Sequence, residues 1–483
     1  MSDERNILLS EAAAVVSRFP GRKIAIDSRR VVPGGIFIAV SGVNFEGKDF
    51  IADAVNNGAG VIVFSGELAE RLPGVEYIQV SNTRKIVSYF YKEFFNRPDE
   101  ALKLYSVTGT NGKTTSAYLL RTLLAGAGIR CGLFSTVSYH DGKNELPSSR
   151  TTPDAVEFFE LLAAMKNNDI QAVAMESSSH SLEQHRVDAA AISGAIFTNL
   201  TGDHLDYHKN MENYFAAKVR LFTELLKNGG TAAINLDDPY GRKLTEILGG
   251  ADKVAGFGTA ADAAYRIVDP EIRLEGVTFE LHHGDEVLKV CSQLVGSYNI
   301  HNLAGVLTLL WSEGISPEIL EKSLRLPFQV PGRLEAVETV SPARFFVDFA
   351  HTDDALSNVL STVKPFVRGK LWVVFGCGGD RDHSKRPRMG KVAAEYADEI
   401  ILTCDNPRSE DPATIIADIA GGIPADRRYR VIDDRKAALE FAVAHAGVDD
   451  AVIVAGKGHE DYQEIAGVKY HFDDREVLRN IGK

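Results

Sequence analysis

Residues 106–116 read Ser-Val-Thr-Gly-Thr-Asn-Gly-Lys-Thr-Thr-Ser, between the apolar-rich ALKLY (101–105) and the helix-like SAYLLRTLLAGAG (116–128). A strand, a glycine-rich loop and a helix in that order form a phosphate cradle. The usual cradle has a glycine six positions before its lysine, but that position holds Val107, and the glycines are Gly109 and Gly112. The loop is therefore a shortened variant. Its glycines reach positive φ cheaply and leave no Cβ between backbone N–H groups and a phosphate. The helix start adds a positive end. Lys113 supplies a charge for β- and γ-phosphates, and Thr114 or Thr115 a hydroxyl for Mg²⁺. The plainer alternative is an ordinary glycine-rich turn before a helix. A second glycine cluster, Gly376-Cys377-Gly378-Gly379, has Arg381 at the third glycine position of a dinucleotide fingerprint, which excludes an NAD site.

Outward from the loop, buried-strand candidates occur at LYSVTG, CGLFST, AVAMESS, GAIFTNL and TAAINL, separated by helix-length segments. This alternation predicts a mainly parallel sheet. Between Tyr265 and Gly296 the pattern changes to an antiparallel insert with a turn at HHGDE, and a helical stretch follows from Asn302. Upstream, KIAIDSR, GIFIAV, GVIVFS and VEYIQV predict a small α/β domain, closed by the helical IVSYFYKEFF and the polar break NRPDE. Downstream of Pro331-Gly332, FFVDFAH, KLWVVFG, EIILTCDN, RYRVID and AVIVAGKG predict a third, Rossmann-like α/β domain. The expected boundaries are 1–99, 100–330 and 331–483.

The 483 residues, 45% hydrophobic and 25% charged, describe a globular chain too long for one ordinary domain of roughly 150 residues. The apolar runs are too short to span a bilayer, and MSDERNILLS lacks a signal-peptide core. Four scattered cysteines without a CxxC pair fit a reducing, cytoplasmic setting. A net charge of −13 argues against general nucleic-acid binding. It leaves room for anionic small substrates, since local cations outweigh a screened distant field.

TGTNGKTT resembles the ATP loop of the Mur ligases, which build the peptide of bacterial cell wall, and of the related folylpolyglutamate synthases. The resemblance extends over essentially the whole chain. It implies a three-domain enzyme in which ATP phosphorylates a carboxylate and an amine then displaces phosphate to form an amide. Gly109, Thr110, Asn111, Gly112, Lys113, Thr114 and Thr115 would hold ATP. SYNIHN places Asn299 and Asn302 near the adenine, PGR supplies Arg333, and VDFAHTDDAL sets Asp348 and His351 near ribose and phosphates. Asp353 stands where the family has a proline. An arginine from another domain would couple closure to catalysis.

Glu176, at the end of a strand in MESSSH, and His204, in LTGDHLDYH, match the family's Mg²⁺ ligands, beside Thr115. NYFAAKVRLFTELLKN reads as one helix with an apolar face at Phe215, Val219, Phe222 and Leu226, and Lys218 one step off it. A lysine so placed ordinarily keeps its head in water. The resemblance implies instead that Lys218 is carbamylated by CO₂ and helps position a second Mg²⁺, which requires a desolvated, neutral amine.

AIDSRRVVPGGIFIAVSG resembles the uridine-diphosphate-binding domain of the family members that add the third and later residues, implicating Asp27 and Ser28. RTTPD gives Thr151 and Thr152, and SSSHSLEQHR gives Ser178, Gln184 and Arg186, for the muramoyl peptide. CDNPRSEDP supplies Asp405, Asn406, Pro407 and Arg408, which by resemblance accompany meso-diaminopimelate as incoming amino acid. Arg408 offers a fork for its distal carboxylate, Glu460 would pair with its distal ammonium, and Arg381 and Gly456 complete the set. The expected substrates are ATP, the UDP-N-acetylmuramoyl dipeptide and meso-diaminopimelate, with Mg²⁺, on a cytoplasmic monomer that neither enters membranes nor binds nucleic acid. Competing readings are the same reaction with L-lysine, a folylpolyglutamate-synthase-like ligase, and a P-loop kinase or NTPase switch.

Overall fold

The computed structural model describes residues 2–41 and 45–482; Gly42, which ends the uridine-domain stretch quoted above, lies outside them. The chain divides into two compact units, Met1–Ile267 with Leu281–Leu288 and His301–Leu324, and Val268–Glu280 with Lys289–Ile300 and Arg325–Lys483.

The first unit opens with a four-stranded parallel sheet whose strands lie in chain order: Ile24–Ala25, Ile36–Ile38, Val61–Phe64 and Glu76–Gln79. Alternation along Val61–Phe64 sends Ile62 and Phe64 to one buried cluster and Val61 and Val63 to another. The helix Thr83–Phe94 packs into the latter, and Asn82 caps it by accepting from the backbone N–H groups of Arg84 and Lys85. Just beyond it, the buried pair Lys92–Asp99 (2.8 Å) ties this sheet to the central one, since Asp99 also accepts from the N–H of Ala191.

The central sheet is parallel through seven strands, in the spatial order Tyr265–Arg273, Ala255–Gly258, Leu226–Asn235, Ile192–Phe197, Lys103–Thr108, Ala172–Glu176 and Cys131–Phe134. Its middle strands are buried apart from Lys103 and Ser193, as Val-, Ile- and Ala-rich runs require when both faces are covered. Val107 stands opposite both Glu176 and Ile196, so three strands end together and their following loops share one rim. An antiparallel hairpin, Ser138–His140 with Glu145–Pro147, extends one edge. On the other side, Tyr265–Arg273, Gly276–His283 and Glu286–Ser292 form the expected insert, turning at Gly284-Asp285.

One expected element is divided. The helix read across residues 213–228 ends at Arg220, continues as a π-helical turn over Leu221–Leu225, and gives way to strand Leu226–Asn235. Gly229 at φ 79° and Gly230 cannot sustain a helix, and Leu226 pairs instead with Ile192.

The second unit carries a six-stranded sheet in the order Glu335–Val337, Arg344–Asp348, Ala451–Ala455, Leu371–Phe375, Glu399–Leu402 and Arg430–Val431. Its first pair is antiparallel and the rest parallel, with an apolar cluster on each face. A separate hairpin joins Tyr462–Ile465 to Val468–His471. Its exposed, mixed-polarity strands leave no periodic signature in the sequence. Among the described residues, no helix is long and apolar enough to cross a membrane.

Candidate active site

The helix after the glycine loop begins at Lys113, with Gly112 as its uncapped N-cap at φ 85°. Gly112 itself has no side chain with which to cap the first-turn N–H groups, as a phosphate site would require. The loop rests on the segment after strand Ile192–Phe197. The N–H of Thr110 donates to the Asn199 carbonyl (2.9 Å), the N–H of Asn111 to Oδ1 of Asn199 (3.0 Å), and Oγ1 of Thr198 to the Asn111 carbonyl (2.6 Å). A Cβ on Gly109 would lie 1.9 Å from Oγ1 of Thr198, and one on Gly112 2.1 Å from Oδ1 of the buried Asn302. The glycines are thus fixed by protein packing as well as by the demands of a phosphate.

Two lysines converge on this loop. Lys113 donates from Nζ to the carbonyls of Gly109 (2.9 Å) and Thr110 (2.7 Å), and Lys218 donates to the same Gly109 carbonyl (2.8 Å). The side chain of Lys218 is 1% exposed and lies against the Tyr214 ring, so its head is not in water. Burial, and then the charge of Lys113, hold its amine well below the ordinary lysine range. Thr114 and Thr115 are buried in the first helical turn.

Glu176, fully buried at its strand end, accepts from the N–H (2.8 Å) and Oγ1 (3.3 Å) of Thr136. Thr136 also donates to Thr151 (3.1 Å), and Thr152 donates to the Glu176 carbonyl (2.8 Å) while accepting from the N–H of Ser178 (3.1 Å). Arg186 donates to the Thr152 carbonyl and, from two nitrogens, to Oε1 of Gln184. The five residues expected at the muramoyl peptide in this domain therefore form one polar cluster around Glu176. Thr136 belongs to it without any signal in the sequence, because its role follows from where its loop ends.

His204, seven residues beyond Phe197, is exposed and holds a left-handed backbone (φ 54°). Its ring packs edge-on against His180 (4.8 Å), whose own imidazole is pushed down to about 4 by burial and then by His204. Among the described residues no three His, Cys, Asp or Glu side chains gather as a metal set. In the small N-terminal sheet domain, Asp27 caps the 3₁₀ turn Ser28–Arg30 and is held down at about 2 by its hydrogen bonds with Arg29; Ser28 is buried.

In the second unit, Asp348 is buried and accepts from the N–H groups of Leu334 (2.7 Å) and Ala350 (2.8 Å), while burial pushes its carboxyl up. The Arg333 guanidinium lies over the Phe349 ring, the exposed His351 is bound to the Phe349 carbonyl, and Asn299 donates to that of Val295. Asp353 occupies the first position of helix Asp353–Val363, capped by Thr352. Both proline and an acidic residue suit that position, so the substitution leaves the helix start intact.

The remaining expected residues meet where two strands end. Asn406 donates to Glu460 (2.9 Å), and a Cβ on Gly456 would lie 2.5 Å from Oδ2 of Asp405. Arg408, left-handed at φ 52°, donates to the Gly379 carbonyl (2.7 Å) and lies 3.4 Å from Glu464. Its backbone is bridged to the hairpin by the Arg408 N–H to the Glu464 carbonyl and the Ala466 N–H to the Arg408 carbonyl. Pro407 stacks its carbonyl against Gly379, where a Cβ would clash at 2.0 Å. Arg381 differs: its side chain is exposed, with a hydrogen bond to the Asp380 carbonyl at 3.4 Å.

Three family models match the chain: "Mur ligase family, catalytic domain" over residues 22–94, "Mur ligase middle domain" over 107–310, and "Mur ligase, glutamate ligase domain" over 332–458. The UDP-N-acetylmuramoyl-L-alanyl-D-glutamate–2,6-diaminopimelate ligase of Geobacter sulfurreducens is 40% identical over 472 residues, covering 93% of this chain and 92% of its own. The protein of the same name from Aquifex aeolicus is 38% identical over 476 residues, covering 99% and 96%. A solved structure bearing that ligase name superposes with a TM-score of 0.72 at 36% identity, over 95% of this chain and 94% of the other.

Proposed function

The chain belongs to the Mur ligase family, and from that premise we propose that it is the ATP-dependent ligase joining 2,6-diaminopimelate, as the meso isomer, to UDP-N-acetylmuramoyl-L-alanyl-D-glutamate in peptidoglycan precursor synthesis. The observation that carries the reading is the pair Lys113 and Lys218 on the Gly109 carbonyl, at the rim that also holds the Glu176 cluster.

The D-glutamate γ-carboxylate attacks the γ-phosphorus of ATP, releasing ADP and leaving an acyl phosphate. The diaminopimelate α-amine then attacks the acyl carbon, loses a proton and expels inorganic phosphate, so an amide bond replaces the phosphoanhydride bond broken. Lys113 and the first-turn N–H groups would orient the triphosphate, and Thr151, Thr152, Ser178, Gln184 and Arg186 the acceptor peptide. Asp27 and Ser28 would take the uridine diphosphate, while Asn299, Asn302, Arg333, Asp348 and His351 would contact the nucleotide. No side-chain nucleophile is required, so positioning supplies much of the rate. By the family resemblance, Thr115, Glu176 and His204 would hold Mg²⁺ and a carbamate on Lys218 would help position a second, offsetting phosphate charge. Only a neutral amine adds CO₂, and burial shifts Lys218 toward that form.

Arg381, Asp405, Asn406, Pro407, Arg408, Gly456 and Glu460 would read the incoming amino acid, Arg408 facing its distal carboxylate. The proposed domains are 1–99 for the uridine end, 100–330 for ATP and ligation, and 331–483 for the amino acid, in a cytoplasmic monomer. Phosphate release is to be measured with ATP, Mg²⁺, the UDP-muramoyl dipeptide and a panel of amino acids. Diaminopimelate should drive release and L-lysine should not. Release independent of any amino acid would indicate an NTPase and overturn the reading.

A further inference from the structure

Three segments of the second unit meet at one buried ammonium. Lys457, the second residue of GKGHE, has a side chain with 0% exposure, and its Nζ lies 3.3 Å from Oδ1 of Asn406 and 3.7 Å from Oε2 of Glu460. It also donates to the Tyr462 carbonyl at the start of the hairpin. Asn406 is turned by these contacts: its Oδ1 faces Lys457 and accepts from the Glu464 N–H (3.0 Å), so its Nδ2 points to Oε2 of Glu460 (2.9 Å). One ammonium thereby joins the loop of residues 405–408, the loop of residues 456–460 and the hairpin.

An ammonium has three donors and no acceptor. That of Lys457 donates to Asn406 and Tyr462, faces Glu460 at 3.7 Å and has no exposure, so it is closed to a substrate. It acts through its neighbours.

We propose that Lys457 is a positioning residue, fixing the Glu460 carboxylate, directly and through the Asn406 amide that donates to it, as a ready-made acceptor for the distal ammonium of a diamino acid. This rests on the assignment of the pocket to the incoming amino acid.

The charges around Glu460 make the role electrostatic as well as geometric. Asp405 is buried and Glu460 partly so, and burial first, then Asp405, push the Glu460 carboxyl up; Lys457 and Arg408 oppose them, as does the hydrogen bond from Asn406. Arg408 is further engaged by the Gly379 carbonyl and Glu464. Removing the Lys457 charge therefore favours the protonated Glu460, which cannot bind an ammonium. The acid limb of diaminopimelate binding must then move to higher pH. A lysine that merely filled space would leave that limb in place.

The test uses the full chain and the phosphate-release assay, with diaminopimelate titrated across pH for the wild type, Lys457→Met, Lys457→Gln and Glu460→Gln. Glutamine keeps a neutral donor toward Asn406 and Tyr462 and removes only the charge, and melting curves establish that each variant is folded. Both Lys457 variants should raise the KM for diaminopimelate tenfold or more, leave the KM for ATP within twofold, and shift the acid limb of kcat/KM upward. Adding Lys457→Gln to Glu460→Gln should cost less than threefold further, because the group through which the charge acts is gone. An unmoved acid limb in folded Lys457→Gln, or an undiminished Lys457 effect in the Glu460→Gln background, overturns the proposal. A wild type that ignores diaminopimelate defeats the pocket assignment itself, a distinct result.

Discussion

At the scale of single residues, Gly112 and Lys218 carry the tightest constraints. Gly112 combines φ 85° with the approach of Asn302. A left-handed non-glycine residue costs about 1–2 kcal/mol before any clash, and about 1.4 kcal/mol is tenfold in binding. Gly112→Ala should raise the KM for ATP by about tenfold or more, read from phosphate release against ATP concentration, and the same strain should lower the melting temperature. Burial, and then the charge of Lys113, hold the Lys218 amine well below the ordinary lysine range. Lys218→Ala should abolish ligation, and short carboxylic acids, occupying the space of a carbamate, should restore part of it. Normal activity in the unsupplemented variant would remove the carbamate from the mechanism.

Between elements, the segment of residues 405–411 is stitched to its neighbours. Glu410 receives two hydrogen bonds from the wholly buried Arg386 (2.8 and 2.9 Å) and one from the Asp380 N–H (2.5 Å), while Asp380 accepts from Ser409 (2.6 Å). The loops of residues 378–382 and 406–411 are thereby fixed to each other, and Arg408 with them. The hydrogen bond from Arg386 holds the Glu410 carboxyl below its usual range. A depressed carboxylate stabilises the fold above its unfolded pKa, and that contribution is lost as pH falls through the folded value. Glu410→Ala leaves Arg386 with Asp418 and the His383 ring nitrogen and should cost about 2 kcal/mol of stability at neutral pH. Denaturant unfolding at pH 7 should show it, with the gap to wild type narrowing below about pH 4.5, the ordinary glutamate value. An unchanged midpoint would mean that the stitch contributes nothing.

Over the whole molecule, the alternation of buried strands and helices made the parallel sheets legible, and with them the strand ends on which Thr108, Glu176 and Phe197 fall. The loop chemistry was equally plain, because Gly-x-x-Gly-Lys-Thr-Thr is a local pattern whose backbone needs are local. Lys218 was harder to place. Its spacing matches that of a solvent-facing lysine, and it is buried because the Gly109 carbonyl, 109 positions earlier, lies over it. Thr136 and Lys457 carried no signal, since their partners belong to other segments. By itself, then, the sequence determined the fold class, the family and the short motifs, all of which rest on periodicity and nearest-neighbour chemistry. Only the tertiary structure decided which carbonyl two lysines share, which loops lock Arg408, and which buried cation supports Glu460. Those depend on contacts between residues far apart in the chain, to which hydrophobic period and local propensity are blind.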